Sequence, residues 1–264
     1  MMGRFFPDGL FGFRRARPRR TAAPRVPDGL RVYAVADIHG RRDALDRLIA
    51  LVAEDAADAA ERGLTPVMVF LGDYVDRGAD SYGVLDRLCR PVIEGVACRF
   101  LLGNHEAALL EFLEAPAAGA EWLDYGGVET LGSYGVRASV GIRERARCEA
   151  LRDRFAGSLP DAHLAFLKSL EPMVVLGDYA FVHAGIRPGR SLERQRLDDL
   201  LWIREPFLSD PRPHDKVVVH GHTMVDQPDL RDNRIGIDTG AYVTGVLTTL
   251  VLQEDQQCLI QARA

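Results

Sequence analysis

Six short apolar runs in this chain each stop abruptly in a polar cluster that mixes Asp, His or Asn with Gly. The run 32–36 leads into Asp37-Ile38-His39-Gly40, and 67–71 into Gly72-Asp73-Tyr74-Val75-Asp76-Arg77-Gly78. The run 99–102 leads into Gly103-Asn104-His105-Glu106, and 180–182 into His183-Ala184-Gly185. The runs 217–219 and 234–237 lead into His220-Gly221-His222 and Asp238-Thr239-Gly240. Short apolar runs bounded in this way read as buried strands. In α/β sheets, ligands collect at the carboxyl ends of the strands, so six such ends predict one assembled site.

The intervening segments support a layered α/β architecture. Strands are expected at 31–36, 66–71 and 97–102. Helices are expected at 43–62, ended by Gly63, at 81–88 with Ser81 as cap, and from 105 to about 113. This β-α-β-α-β-α order implies helices packed on sheet. Residues 115–170 read as helix and loop. Strands 173–176 and 179–182 flank Gly177-Asp178 as a hairpin, and 216–219, 234–237 and 246–252 follow. The expectation is a mixed sheet, or two packed sheets with helices outside.

With 264 residues, 47% apolar and 27% charged, the composition is that of a globular domain and excludes collagen, coiled coil and wholesale disorder. No run of about 18 apolar residues suggests a transmembrane helix. The net charge of -5 gives no global reason to bind nucleic acid. Cys89, Cys98, Cys148 and Cys258 form no C-x-x-C pair, which argues against a zinc ribbon or disulfide scaffold. Reduced, buried thiols in a cytoplasmic protein are expected. Residues 1–30 read as a flexible basic arm ahead of an acidic body at 31–264, with Phe5, Phe6, Phe11 and Phe13 set among Arg. A hook onto an anionic membrane or a partner is the sharper alternative for the arm.

The residue types at the strand ends suggest metal. Carboxylates, imidazoles and an amide without thiolate suit Mn, Fe or Zn. Asp37 and His39 are two apart, so at a strand terminus both point to one face. Asp73 has two oxygens with which to bridge two ions. Five of the seven His, at 39, 105, 183, 220 and 222, lie in these clusters, a poor match to coincidence. Arg77 offers a bidentate fork to phosphate, and a His near neutrality suits proton donation to a leaving oxygen. There is no G-x-S-x-G elbow, in keeping with direct attack by a metal-bound hydroxide.

The ordered set D-x-H-G (37–40), GDYVDRG (72–78), GNHE (103–106), HAG (183–185) and HGH (220–222) resembles the phosphoprotein phosphatase family of calcineurin-like metallophosphoesterases, from Arg31 to about Gly240. The resemblance implies a four-layer α/β sandwich, two mixed β-sheets flanked by helices, with a dinuclear metal centre. By it, Asp37 and His39 bind the first ion, Asp73 bridges, and Asn104, His183 and His222 bind the second. His222, followed by Thr223, matches the ligand position better than His220, which is expected behind the ligands. His105 is the implied proton donor with Asp76 orienting it. Arg77 and, more loosely, Arg204 hold the phosphate, although Arg204 could instead pair with Glu205 or Glu193. Two divalent cations, Mn first, are the implied cofactors.

Two features bear on substrate. Ala36 stands where the family has Gly, which a strand tolerates. The GDYVDRG and GNHE motifs resemble the protein-phosphatase branch, whereas the symmetrical dinucleoside-tetraphosphatase branch carries Ala in place of Asp76 and Asp in place of Glu106. The HAG and HGH motifs resemble both. The expectation is therefore a serine/threonine phosphoprotein phosphatase, with symmetrical bis(5'-nucleosyl)-tetraphosphatase or RNA-decapping pyrophosphohydrolase as alternatives, and an inactive phosphoprotein-binding scaffold as the alternative of another class. Residues 122–127 either shape a substrate groove or form a packed helix end with a Gly cap.

Overall fold

The computed structural model describes residues 23–264. In chain order its elements are β1 (Leu30–Val35), α1 (Arg42–Glu61), β2 (Thr65–Phe70), α2 (Ser81–Leu88), β3 (Ala97–Phe100) and α3 (Asn104–Glu114). A 3-10 segment (Gly119–Tyr125) then precedes α4 (Gly127–Ser133), α5 (Arg145–Ser158) and α6 (Asp161–Lys168). The last third holds β4 (Val174–Leu176), β5 (Tyr179–Phe181), α7 (Leu197–Trp202), β6 (Val217–His220), β7 (Asp229–Leu230), β8 (Arg234–Gly236), α8 (Ala241–Thr244), β9 (Val246–Gln253) and β10 (Gln256–Arg263).

The strands form two mixed five-stranded sheets, ordered β10-β9-β1-β2-β3 and β4-β5-β6-β8-β7. Within the first, β1, β2 and β3 run parallel. Within the second, β5, β6 and β8 do so. Each sheet therefore delivers three parallel carboxyl ends to one rim. Alternation along the strands sets the layers. Tyr179, Phe181, Val217, Val219 and Ile235 share one core with Val32, Val35, Met68 and Phe70 of the first sheet. Val182 and Val218 turn the other way, against Leu200, Ile203 and Phe207 beside α7. Helix α1 buries Leu45, Leu48, Ile49, Val52, Ala56 and Ala59, a helical stripe that packs on β1, β2, β9 and β10. Truncating a side chain as large as Phe181 in this interior costs about 3–5 kcal/mol. This is the expected four-layer sandwich.

Several local expectations change. The cap of α2 is Asp80, which accepts the Gly83 N–H at 2.8 Å, not Ser81. The Ser81 hydroxyl is turned instead to the Asp76 N–H, 3.0 Å away. Strand β3 stops at Phe100, and Leu101 makes only an isolated bridge to Glu171. Strand β10 was not anticipated, because as an edge strand it buries little beyond Ala262 and lacks a strong apolar alternation. Of the four cysteines, none is paired and only Cys148 is buried; Cys258 is exposed.

Residues 1–22 of the expected arm lie outside the described residues. From Pro24 onward the chain is packed on the body. Val26 is buried and its N–H donates to the Glu254 carbonyl. The Arg25 N–H donates to the Asp178 carboxylate at 3.0 Å. Among the described residues, no helix is long and apolar enough to cross a membrane.

Candidate metal centre and phosphate groove

Asp73 stands at the centre of the rim, one residue past Gly72 on the loop after β2. His39 Nε2 lies 3.4 Å from its Oδ2, and His183 Nε2 3.4 Å from its Oδ1. Two groups of candidate metal-holding side chains share it: His39, Asp73 and His105 on one side, and Asp73, His183 and His222 on the other. Asn104 joins the second group, its Oδ1 2.8 Å from both His183 Nε2 and His222 Nδ1.

Backbone carbonyls fix two of the imidazoles. His39 Nδ1 donates to the Val75 carbonyl and His183 Nδ1 to the Leu71 carbonyl, each at 2.9 Å. Each ring therefore aims the lone pair of Nε2 at Asp73. Burial drives His39 and His222 down to about 3, and lowers His183 as well, so these rings are neutral at physiological pH. Burial pushes Asp73 up, but the surrounding His183, His105 and His39 outweigh it and hold the carboxyl well below the usual range.

Asp37 approaches from the side of His222. Its Oδ2 accepts the His222 N–H at 2.9 Å, while Oδ1 is buried without a partner. A Cβ on Gly221 would sit 1.9 Å from that Oδ1. Burial first, then the charges of Asp238 and Asp73, raise the Asp37 carboxyl well above its usual value. His222 Nε2 is also buried and unpartnered. Buried acceptors without donors are costly. Lone pairs of carboxylate, amide and neutral imidazole converging here suit hard and borderline divalent cations, so the residues fit the expected group.

His105 and Asp76 form a separate pair beside this cluster. His105 Nδ1 lies 2.6 Å from Asp76 Oδ2. Burial lowers the His105 pKa, yet the Asp73 charge and the Asp76 hydrogen bond outweigh it and leave it raised. The other ring nitrogen, Nε2, accepts from Arg77 at 2.9 Å, and the Arg77 guanidinium also donates to His39 Nε2 at 3.0 Å. Its head lies 4.9 Å from the Tyr242 ring centroid, a contact that sequence reasoning missed.

A groove of about 510 Å³ opens over these groups, lined by Arg77, His105, Trp122, Tyr125, Trp202 and Arg204 among others. Arg204 makes no ion pair among the described residues, so neither Glu205 nor Glu193 engages it. Trp202 is 51% and Tyr125 64% exposed at the groove. Of the two readings of 122–127 the Gly cap is observed, with Gly126 (φ 113°) closing the 3-10 segment, and Trp122 lines the groove. Asp238 Oδ1 accepts the Gly240 N–H at 2.8 Å, forming the expected turn. His220 packs its ring 5.1 Å from Phe207 and stays behind the cluster.

Backbone strain is concentrated here. His39, Asp73, Asp76, Arg77 and His222 all have positive φ, and Glu254, in the β9–β10 turn, is the remaining non-Gly example among the described residues. Such conformations persist where the surroundings over-determine them, as at functional sites. The over-determining residue missed from sequence is Glu106. Buried completely, it accepts the N–H groups of Asp73, Tyr74, Val75 and Gly103 at 2.7–3.1 Å. Its place three residues after the Gly103 cap is the signal that could have found it.

The family model of the calcineurin-like phosphoesterases matches residues 30–245. The chain belongs to that family, and is with it an enzyme of phosphoester hydrolysis. An asymmetrical bis(5'-nucleosyl)-tetraphosphatase of Anoxybacillus flavithermus is 27% identical over 202 residues, 69% of this chain and 74% of the relative. A symmetrical bis(5'-nucleosyl)-tetraphosphatase of Acidovorax is 29% identical, and the aligned part covers 60% of this chain and 44% of that relative. Serine/threonine-protein phosphatase 2 of Salmonella typhimurium is 23% identical over 229 residues, 82% of this chain and 90% of the relative. A crystal structure provisionally assigned as a diadenosine tetraphosphatase superposes with a TM-score of 0.62 at 22% identity, covering 91% of this chain and 99% of that one.

Proposed function

We propose that this protein is a divalent-metal-dependent phosphomonoesterase acting on serine/threonine phosphoproteins. Asp37, His39 and Asp73 would hold one cation, and Asp73, Asn104, His183 and His222 a second. Manganese is the first choice, with iron and zinc accepting the same donors. When bound, such a pair lowers the pKa of water and neutralises phosphate charge. Arg77 and Arg204 orient the phosphate across the groove. The water oxygen forms the new bond to phosphorus while the bond to the seryl oxygen breaks. His105, once protonated at Nε2 in place of the contact it accepts from Arg77, would give that proton to the departing oxygen, with Asp76 steering the ring through Nδ1.

One observation carries the choice of substrate: the 2.6 Å contact between His105 and buried Asp76. An alkoxide is a poor leaving group and needs a proton at the moment of cleavage. A nucleotide leaves a phosphoanhydride as a stable anion and needs none. A held imidazole–carboxylate pair is therefore better matched to a phosphoserine or phosphothreonine ester. The exposed Trp202 and Tyr125 favour a second reading, a dinucleoside polyphosphate with a base stacked on one of them.

The deciding experiment compares a phosphoserine peptide, diadenosine tetraphosphate and capped RNA side by side with Mn²⁺, with products identified by mass. Preference for the peptide supports the proposal, and preference for the dinucleotide moves the assignment to the second reading. Turnover that survives full chelation contradicts both. Fewer than two ions per chain together with no turnover indicates a binding scaffold.

A further inference from the structure

Two donors to Asp76 come from neither the strand-end motifs nor their flanking turns. Trp122 Nε1 donates to Asp76 Oδ2 at 2.7 Å, and Thr130 Oγ1 to Oδ1 at 2.6 Å. Trp122 belongs to the 3-10 segment Gly119–Tyr125 and Thr130 to α4. Both side chains are themselves buried. The Trp122 ring packs 5.2 Å from Phe112 and 6.1 Å from Phe155, and a Cβ on Gly127 would touch the indole at 2.6 Å. Thr130 Oγ1 also takes the Asp76 N–H at 2.9 Å and contacts Ser81 Oγ at 3.0 Å. Backbone and both carboxylate oxygens of Asp76 are therefore tied to this one segment.

This arrangement leaves His105 little choice of direction. Oδ2 already accepts from Trp122, so the remaining approach to it is the one His105 Nδ1 uses. Fixing Nδ1 fixes the ring plane, and with it the aim of Nε2 into the groove beside Arg77, 2.9 Å away. We infer that Trp122 and Thr130 are positioning residues for the proton donor, acting through Asp76 on His105. The inference rests on the proposal that His105 donates the proton. Its consequence is selective: a misaimed donor slows cleavage of a bond whose leaving oxygen must be protonated. It spares a bond that releases an already stable anion such as p-nitrophenolate.

The test measures kcat and KM on a phosphoserine peptide and on p-nitrophenyl phosphate, with Mn²⁺, for wild type, Trp122→Phe, Thr130→Val, Thr130→Ser and His105→Asn. The expected result is a fall of about tenfold in the peptide-to-aryl ratio of kcat for Trp122→Phe and Thr130→Val, part of the range general acid catalysis supplies. Thr130→Ser, which keeps the hydroxyl, restores the ratio. Equal loss on both substrates overturns the inference, as does a change confined to KM, or a Thr130→Ser ratio as low as that of Thr130→Val. If Trp122→Phe fails to fold, the two Thr130 variants decide alone. A His105→Asn loss equal on both substrates refutes His105 as proton donor, and a wild type inactive on both refutes the phosphomonoesterase reading itself.

Discussion

Glu106 Oε1 accepts the backbone N–H of Tyr74 at 2.7 Å, and this bond ties the first turn of α3 to the loop after β2. The same carboxylate takes the N–H of Asp73, so it fixes the strained residue at the centre of the candidate metal cluster. Burial and the neighbouring Asp73 charge push its carboxyl up, and the backbone donors pull against them by favouring the ionised form. A Glu106→Gln variant turns an amide N–H₂ toward backbone N–H groups. It should lose about 1–3 kcal/mol, the cost of a buried unsatisfied donor, in urea unfolding. Stability equal to wild type would mean the loop holds its shape without this anchor.

Gly221 tests whether Asp37 serves the cluster. Its missing Cβ leaves the 1.9 Å approach of Asp37 Oδ1 open, so Gly221→Ala must displace that carboxylate. The expected outcome is weaker cation binding, by about 10–100-fold in Mn²⁺ titration calorimetry, the usual range for a disturbed metal environment. Asp73→Asn should be more severe and abolish binding of at least one ion. Unaltered Mn²⁺ stoichiometry in Asp73→Asn would contradict the proposal that Asp73 serves both candidate ion sites.

Arg204 is exposed at the groove and free of ion pairs among the described residues, so its removal should cost binding and not fold. Arg204→Ala should raise KM for a phosphopeptide by about tenfold, the loss of one charge-assisted contact. Circular dichroism and unfolding temperature should stay at wild-type values. A kcat effect larger than the KM effect would place Arg204 in the bond-breaking step instead.

Far from the groove, Asp55 accepts from Arg31 Nε at 2.6 Å and from Tyr33 at 2.5 Å. Burial raises the Asp55 carboxyl, but the Arg31 and Tyr33 hydrogen bonds outweigh it and leave the pKa below the usual 3.8. A carboxyl depressed by folding stabilises the protein above its unfolded pKa and loses that contribution as pH falls through the folded one. Wild type should therefore lose more stability than Asp55→Asn between pH 5 and about 3. Parallel unfolding curves across that window would count against it.

The sequence by itself determined the order of the strands that carry the site and the chemistry at their ends. Asp37, His39, Asp73, Asn104, His183 and His222 were legible as a cluster because each lies within four residues of a strand's carboxyl end, and parallel strands of a sheet end on the same side. Helix α1 was legible for a similar reason, since Leu45, Leu48, Ile49 and Val52 repeat at the helical period. Strand β10 was not, because its pairing with β9 is made by backbone and not by an apolar pattern of its own. Only the tertiary structure decided what surrounds Asp76. Trp122 and Thr130 reach it across 46 and 54 residues of chain, and Ser81 serves its N–H instead of capping α2. Local periodicity records which face of an element is buried. The direction of a single hydrogen bond between distant segments depends on how those elements pack, and no spacing within either segment encodes it.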